Sequence, residues 1–141
     1  MTVANILGVK GRSVFSITSQ STVYDSLIAM SDKNIGALLV IDNDNLVGIV
    51  SERDYARKII IKGKSSQETL VKDIMTENPF TITPTDNIET CMSIMSSKKF
   101  RHLPVVEDGK VVGMISIGDV VTAIIKSQKE TIDYLKDYIS Q

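Results

Sequence analysis

Two stretches of the chain carry the same polar residues at the same spacing. Gly48-Ile-Val-Ser-Glu-Arg-Asp54 and Gly113-Met-Ile-Ser-Ile-Gly-Asp119 both read Gly-x-x-Ser-x-x-Asp. A serine with a carboxylate three residues later is a capping-box pattern, in which Ser51 or Ser116 opens a helix and Asp54 or Asp119 closes the box. The same residues have a second use. A carboxylate at a helix start can accept both hydroxyls of a ribose, and the exposed backbone N–H groups there attract phosphate. The residues alone leave both readings open. A second cluster is Arg101-His102, placed just before a short apolar run. The forked donors of Arg101 suit phosphate, and the plain alternative is an exposed Arg beside a half-buried His. A third cluster is basic: Arg53, Arg57, Lys58, Lys62 and Lys64, with Lys10 and Arg12 upstream. It reads either as a solvated face or as an anion-binding lip.

Other chemistry is poorly supplied. Cys91 is the single cysteine and sits inside an apolar helical pattern, where a thiol is a small buried hydrophobe. His102 is the single histidine, which excludes multi-histidine metal sites and weakens any Ser-His-Asp or Cys-His arrangement. No Gly-rich phosphate loop is present. An enzyme is therefore not expected, and neither a catalytic residue nor a metal site is assigned. Sixteen basic residues against seventeen acidic ones give a net charge of -1, aromatics make up 5% and Trp is absent. That balance argues against nucleic-acid binding and base stacking. No apolar run approaches the roughly 18–20 residues of a membrane span. The start Met1-Thr-Val-Ala-Asn5 lacks a basic region before a greasy stretch. The expectation is a cytoplasmic protein.

The elements that position these clusters follow from an internal repeat. Shifted by 65 residues, segment 15–60 matches 80–125 without a gap, with 14 identities in 46 positions. Each copy starts with a short extended piece, Phe15–Thr18 or Phe80–Thr83. A cap signal follows at Ser21 or Asp86, then apolar residues at helical spacing: Val23, Leu27 and Met30, or Ile88, Met92 and Met95. A buried strand is expected over 37–41 or 103–106, then turn chemistry, then a return strand over 46–50 or 111–115. A second helix starts at Ser51 or Ser116. The fold class is α/β (α+β): two pseudo-symmetric repeats, each strand-helix-strand-strand-helix. Residues 1–65 form the first repeat with an N-terminal segment, 66–128 the second, and 129–141 a C-terminal tail helix. Glu68–Met75 is expected to be a short helix leading into the second copy. The tail places Ile132, Leu135 and Ile139 on one face, suited to docking at a subunit interface.

The repeat, the segment His102-Leu-Pro-Val-Val-Glu-Asp-Gly-Lys-Val-Val-Gly-Met-Ile-Ser116 and the two Gly-x-x-Ser-x-x-Asp stretches resemble tandem cystathionine-β-synthase (CBS) domains. The likeness covers about residues 5–128 and is nearest to small bacterial two-repeat proteins. It implies one Bateman module with its two sheets packed together and clefts between the repeats. Such clefts bind adenosine-containing ligands: AMP or NAD(H) here, with ATP and S-adenosylmethionine as further candidates. It also implies a homodimer that signals to an unidentified regulated protein. By the resemblance, Asp54 and Asp119 hold ribose, and Ser51 and Ser116 help hold ribose or phosphate. Arg101 and His102 meet phosphate, with Arg53 enriching one cleft in cations. Thr18 and Thr83 begin the segment that lines a cleft. Ile35, Ala37, Leu38 and Leu103 hold adenine. The competing function is a structural or dimerising protein in which the capping boxes only cap.

Overall fold

A computed structural model describes residues 1–140. In chain order the elements are α1 (Val3–Lys10), β1 (Ser16–Ile17), α2 (Val23–Lys33), β2 (Ala37–Asp42), β3 (Asn45–Ser51), α3 (Glu52–Tyr55), β4 (Thr76–Glu77), α4 (Ile88–Lys98), β5 (His102–Glu107), β6 (Lys110–Ser116) and α5 (Ile117–Ile139). The class is mixed α/β; the first copy runs strand-helix-strand-strand-helix as expected, whereas in the second the opening strand expected over 80–83 is reduced to a single bridge at Ile82.

The chain divides into two compact units, and they do not follow chain order. One is Val14–Phe80, and the other joins Met1–Ser13 to the segment from Thr81 onward. In the Val14–Phe80 unit the sheet order is β1-β2-β3-β4, with β1 parallel to β2 and the other pairs antiparallel. Its core gathers Val23, Met30, Leu38, Val40, Val50, Ile59, Val71 and Ile74. Glu68–Met75 therefore does not lead away into the second copy. It forms a single 3-10 turn, Val71–Asp73, that buries Val71 and Ile74 in the first copy's core and feeds β4 onto β3.

In the other unit β5 and β6 pair antiparallel, and Ile82 bridges to Val105 in parallel. Its core includes Ile88, Cys91, Met95, Leu103, Val105, Ile115 and Val120, together with Val3, Ile6 and Leu7 of α1. Leu7 there takes the place that Met75 takes in the first unit. A Cβ added at Gly113 would meet Leu7 Cδ2 at 2.8 Å, and one at Gly48 would meet Met75 Sδ at 2.6 Å. Each glycine lets its covering segment lie directly on the return strand.

The hairpins are alike in both copies. Asn43-Asp44 and Asp108-Gly109 have positive φ at both turn residues, as a two-residue type I′ turn requires. Register shifts fall at Val40/Ile41 and Val105/Val106, one repeat length apart. The caps lie one residue later than expected. Thr22 and Asn87 cap α2 and α4. Asp86 instead takes the Thr83 amide on Oδ2 (2.8 Å), and the Ser21 hydroxyl bonds that of Thr18 (2.9 Å). The second helices differ most. α3 lasts four residues before a π-helical stretch, Ala56–Ile60, whereas α5 runs unbroken for 23 residues. The tail is thus the continuation of α5 rather than a separate helix.

Candidate functional site

Both Gly-x-x-Ser-x-x-Asp stretches fold as capping boxes at a strand-to-helix junction. The Ser51 amide donates to Asp54 Oδ2 (2.9 Å), and the Asp54 amide donates to Ser51 Oγ (3.3 Å). The Ser116 amide donates to Asp119 Oδ2 (2.8 Å), and the Asp119 amide to Ser116 Oγ (3.2 Å). The preceding strand ends at the same place. The Glu52 amide bonds the Gly36 carbonyl (3.0 Å), and the Ile117 amide bonds the Arg101 carbonyl (2.8 Å). Opposite Ser51 in the ladder stands Ala37, and opposite Ser116 stands His102.

Each carboxylate also holds a lysine, and the two lysines come from different places. Lys58, one turn along, lies 3.5 Å from Asp54 Oδ1 and donates to the Ile74 carbonyl at 2.7 Å. Lys10 of α1 donates to Asp119 Oδ2 at 2.7 Å and to the Met114 carbonyl at 2.8 Å. In both units one ammonium ties the carboxylate to a covering segment. These partners were missed in the sequence, where both lysines were counted only as parts of a basic cluster. Lys58 has Ala123 as its repeat counterpart, so the repeat gives no signal for it.

The electrostatics of the second junction follow from these contacts. Burial pushes the Asp119 carboxyl up, but the Lys10 hydrogen bond and the Ser116 amide outweigh it and hold the group below its ordinary 3.8. Burial, aided by the Lys10 and Arg101 cations, holds His102 below its ordinary 6.5, while Asp119 pulls the other way. His102 is therefore a neutral imidazole at pH 7. Cys91 is fully buried, and burial foremost pushes its thiol up to about 11, so it is no nucleophile at neutral pH.

The structure brings Arg101, His102, Ser116 and Asp119 together at the start of α5, and Ile35, Ser51, Arg53 and Asp54 at the start of α3. Ile35 also borders a hollow of about 390 Å³ with Leu27, Gly36 and Glu52. Ala37, Leu38 and Leu103 stand in the adjoining strands, but their side chains are fully buried. Thr18 and Thr83 lie apart from the junction of their own unit. Ile17 pairs with Val40 and Ile82 with Val105. Each threonine is thus four strand residues, roughly 13 Å, from the level of Ala37 or His102.

Two matched repeats, each ending its hairpin in a capped Gly-x-x-Ser-x-x-Asp junction, are a recognisable pattern. The sequence pattern of the CBS domain matches residues 8–61 and again residues 71–126. The chain belongs to the CBS-domain family. This CBS pair is 40% identical over 147 residues to a mitochondrial CBS-domain-containing protein of Arabidopsis thaliana, covering 98% of this chain and 71% of that one. Among solved structures, a candidate signal-transduction protein with CBS domains from Burkholderia ambifaria is 44% identical and aligns with a TM-score of 0.87, covering 91% of this chain and 96% of that one. A CBS-domain protein of Pyrobaculum aerophilum, solved in complex with AMP, shares the fold with a TM-score of 0.75 at 23% identity, over 84% of this chain and 89% of that one. A tandem CBS pair is a module of the regulatory, signal-transducing kind. No helix among the described residues is long and apolar enough to cross a membrane.

Proposed function

We propose that this CBS pair is a cytoplasmic sensor of adenosine-containing ligands, AMP or NAD(H) foremost, that acts as a homodimer on a separate regulated protein and catalyses no reaction. ATP and S-adenosylmethionine are the next ligands to try. The observation that carries the reading is the Asp119 junction. Its capping and ionic contacts all fall on Oδ2, which leaves Oδ1 without a protein partner among the described residues. An acceptor with that freedom, beside Lys10, the neutral His102 and the exposed Arg101, suits a ribose attached to a phosphate. Signalling then requires that the ligand bind two conformations of the protein unequally. The AMP held by the Pyrobaculum relative supports the ligand class.

A second reading has its own support. Both carboxylates already serve as caps, and α5 exposes Val121, Ile125, Ile132, Leu135 and Ile139 at a spacing suited to helix pairing. On that reading the chain only dimerises, through the α5 tail. Thermal unfolding with each ligand separates the two. A ligand at ~100 times its dissociation constant adds roughly 2.7 kcal/mol, a rise of several degrees at this size. The paired substitution Asp54→Asn and Asp119→Asn keeps an oxygen for each cap and should abolish the rise. No rise with any ligand, together with monomers on truncation at Lys129, would favour the structural reading.

A further inference from the structure

α5 carries two apolar faces, and the fold uses one of them. Val120 and Ala123 are buried in the core of their unit. On a different side run Val121, Ile125, Gln128, Ile132, Leu135 and Ile139, at alternating spacings of four and three residues. The five apolar members of that stripe are 40–80% exposed. From Gln128 to Ile139 every residue of the helix is exposed. A helix of that length is marginal in water by itself, since isolated helices need about 12–15 residues even with good helix formers. A bare apolar stripe on such a segment calls for a partner.

The internal repeat shows that the stripe belongs to the second copy alone. Ile60 matches Ile125 and is as exposed, but Gly63 stands where Gln128 does. Gly63 takes a positive φ of 68°, and the helical run of the first copy has stopped by then, after its π-helical stretch. Only α5 continues far enough to repeat the pattern.

We propose that the α5 tails of two copies of this chain wind into a parallel, in-register, two-stranded coiled coil. The coil rests on the homodimer proposed above and supplies its seam. Alternation of four and three residues is the heptad pattern, with Ile125, Ile132 and Ile139 at a, and Val121, Gln128 and Leu135 at d. β-Branched residues at a with leucine at d favour two parallel strands. Here every a is isoleucine, and the outermost d is Leu135. Gln128 is the one polar residue of the stripe. Two Gln128 side chains in one layer bond each other, and any slip sets each against an apolar side chain. Charge counts against antiparallel pairing. Lys129 and Lys136 both hold the e position, and antiparallel helices face e with e, lysine on lysine. Parallel helices face e with g, where Ile124, Thr131 and Tyr138 carry no charge.

Sedimentation equilibrium of the whole chain tests this, with Ile132→Asp and Val121→Cys as variants. The parent should be a dimer that dissociates on dilution. Ile132→Asp should weaken dimerisation at least ~100-fold, because two isoleucines leave the seam and two carboxylates enter it. Ile132 is exposed and lies outside the core of its unit, so hydrogen-exchange protection of β5 and β6 should not change. Under a mild oxidant, Val121→Cys should give a disulfide-linked dimer. Parallel in-register helices bring position 121 of the two chains within the ~4.4–6.8 Å that a disulfide spans between Cα atoms. Antiparallel helices hold the two positions at opposite ends. Cys91, fully buried, adds no background. A monomeric parent would overturn the coil and the homodimer together. A dimer that survives Ile132→Asp would overturn the coil and leave the homodimer standing. Loss of the dimer in Ile132→Asp, without cross-linking at position 121, would overturn the parallel arrangement.

Discussion

Lys10 does for Asp119 what Lys58 does for Asp54, although nothing in the order of the residues pairs them. Lys10 and Asp119 lie 109 residues apart, so their 2.7 Å contact had no local signature. The capping boxes were legible because their spacing is local: Ser51 to Asp54 and Ser116 to Asp119 can be read within one helical turn. The neutral state of His102 was only half legible, since the burial and the Lys10 cation that set it come from long-range packing. This state sets a pH dependence. His102 has a folded pKa below its unfolded 6.5, so the unfolded chain takes up the proton first. Stability should therefore be full above about pH 6.5 and decline as the pH falls through the window below it. Asp119 adds a further loss lower down, below the ordinary 3.8, because its charged form is the one held in the fold. Urea unfolding at pH 7.5 and pH 5.5 should show the decline, and His102→Gln should flatten it. An equal decline in that variant would place the titrating group elsewhere.

At the scale of elements, the repeat predicted the two hairpins well because their apolar runs and turn residues recur in register, but it missed β4 and expected over 80–83 a strand that is only a bridge at Ile82. The helix starts were off by one, at Ser21 and Asp86, because Thr22 and Asn87 are equally good caps and only geometry decides among neighbours. The divergence of α3 from α5 had no sequence signal, since Ile59-Ile60 and Ile124-Ile125 look alike. The return strands carry a sharper test. A Cβ at Gly48 would lie 2.9 Å from the Thr76 carbonyl, which the β3–β4 ladder holds in place, besides meeting Met75. A Cβ at Gly113 would meet Leu7 side-chain atoms nearest, with no backbone atom as close. Gly48→Ala should cost about 1–3 kcal/mol, the range for overpacking, and Gly113→Ala clearly less. Urea midpoints for the two variants check the order. Equal costs would mean that Met75 and Thr76 yield as easily as Leu7.

For the whole molecule, the repeat legible in the sequence and the units that pack are different divisions. The sequence assigns residues 1–13 to the copy they precede, yet α1 buries Val3, Ile6 and Leu7 in the core that begins again at Ile82. A core of that kind is set by long-range contact, which the helical pattern of α1 does not announce. Deletion of residues 1–13 should therefore leave the Val14–Phe80 unit intact and strip the other of three buried side chains, each worth roughly 1.5–3 kcal/mol. Hydrogen exchange should show amides of β2 and β3 still protected and those of β5 and β6 exchanging freely. Protection lost evenly across both would contradict the division.

The same crossing of segments has a temporal side. A ribosome delivers α1 before all of Val14–Phe80, and only afterwards the strands against which α1 packs. At roughly 5–20 residues per second, α1 waits several seconds with Val3, Ile6 and Leu7 uncovered. The segment from Val14 to Phe80 contains every residue of its own core and can close during that interval. Residues 1–13 are thus made before the Val14–Phe80 unit and buried only after the segment from Thr81 onward has followed it.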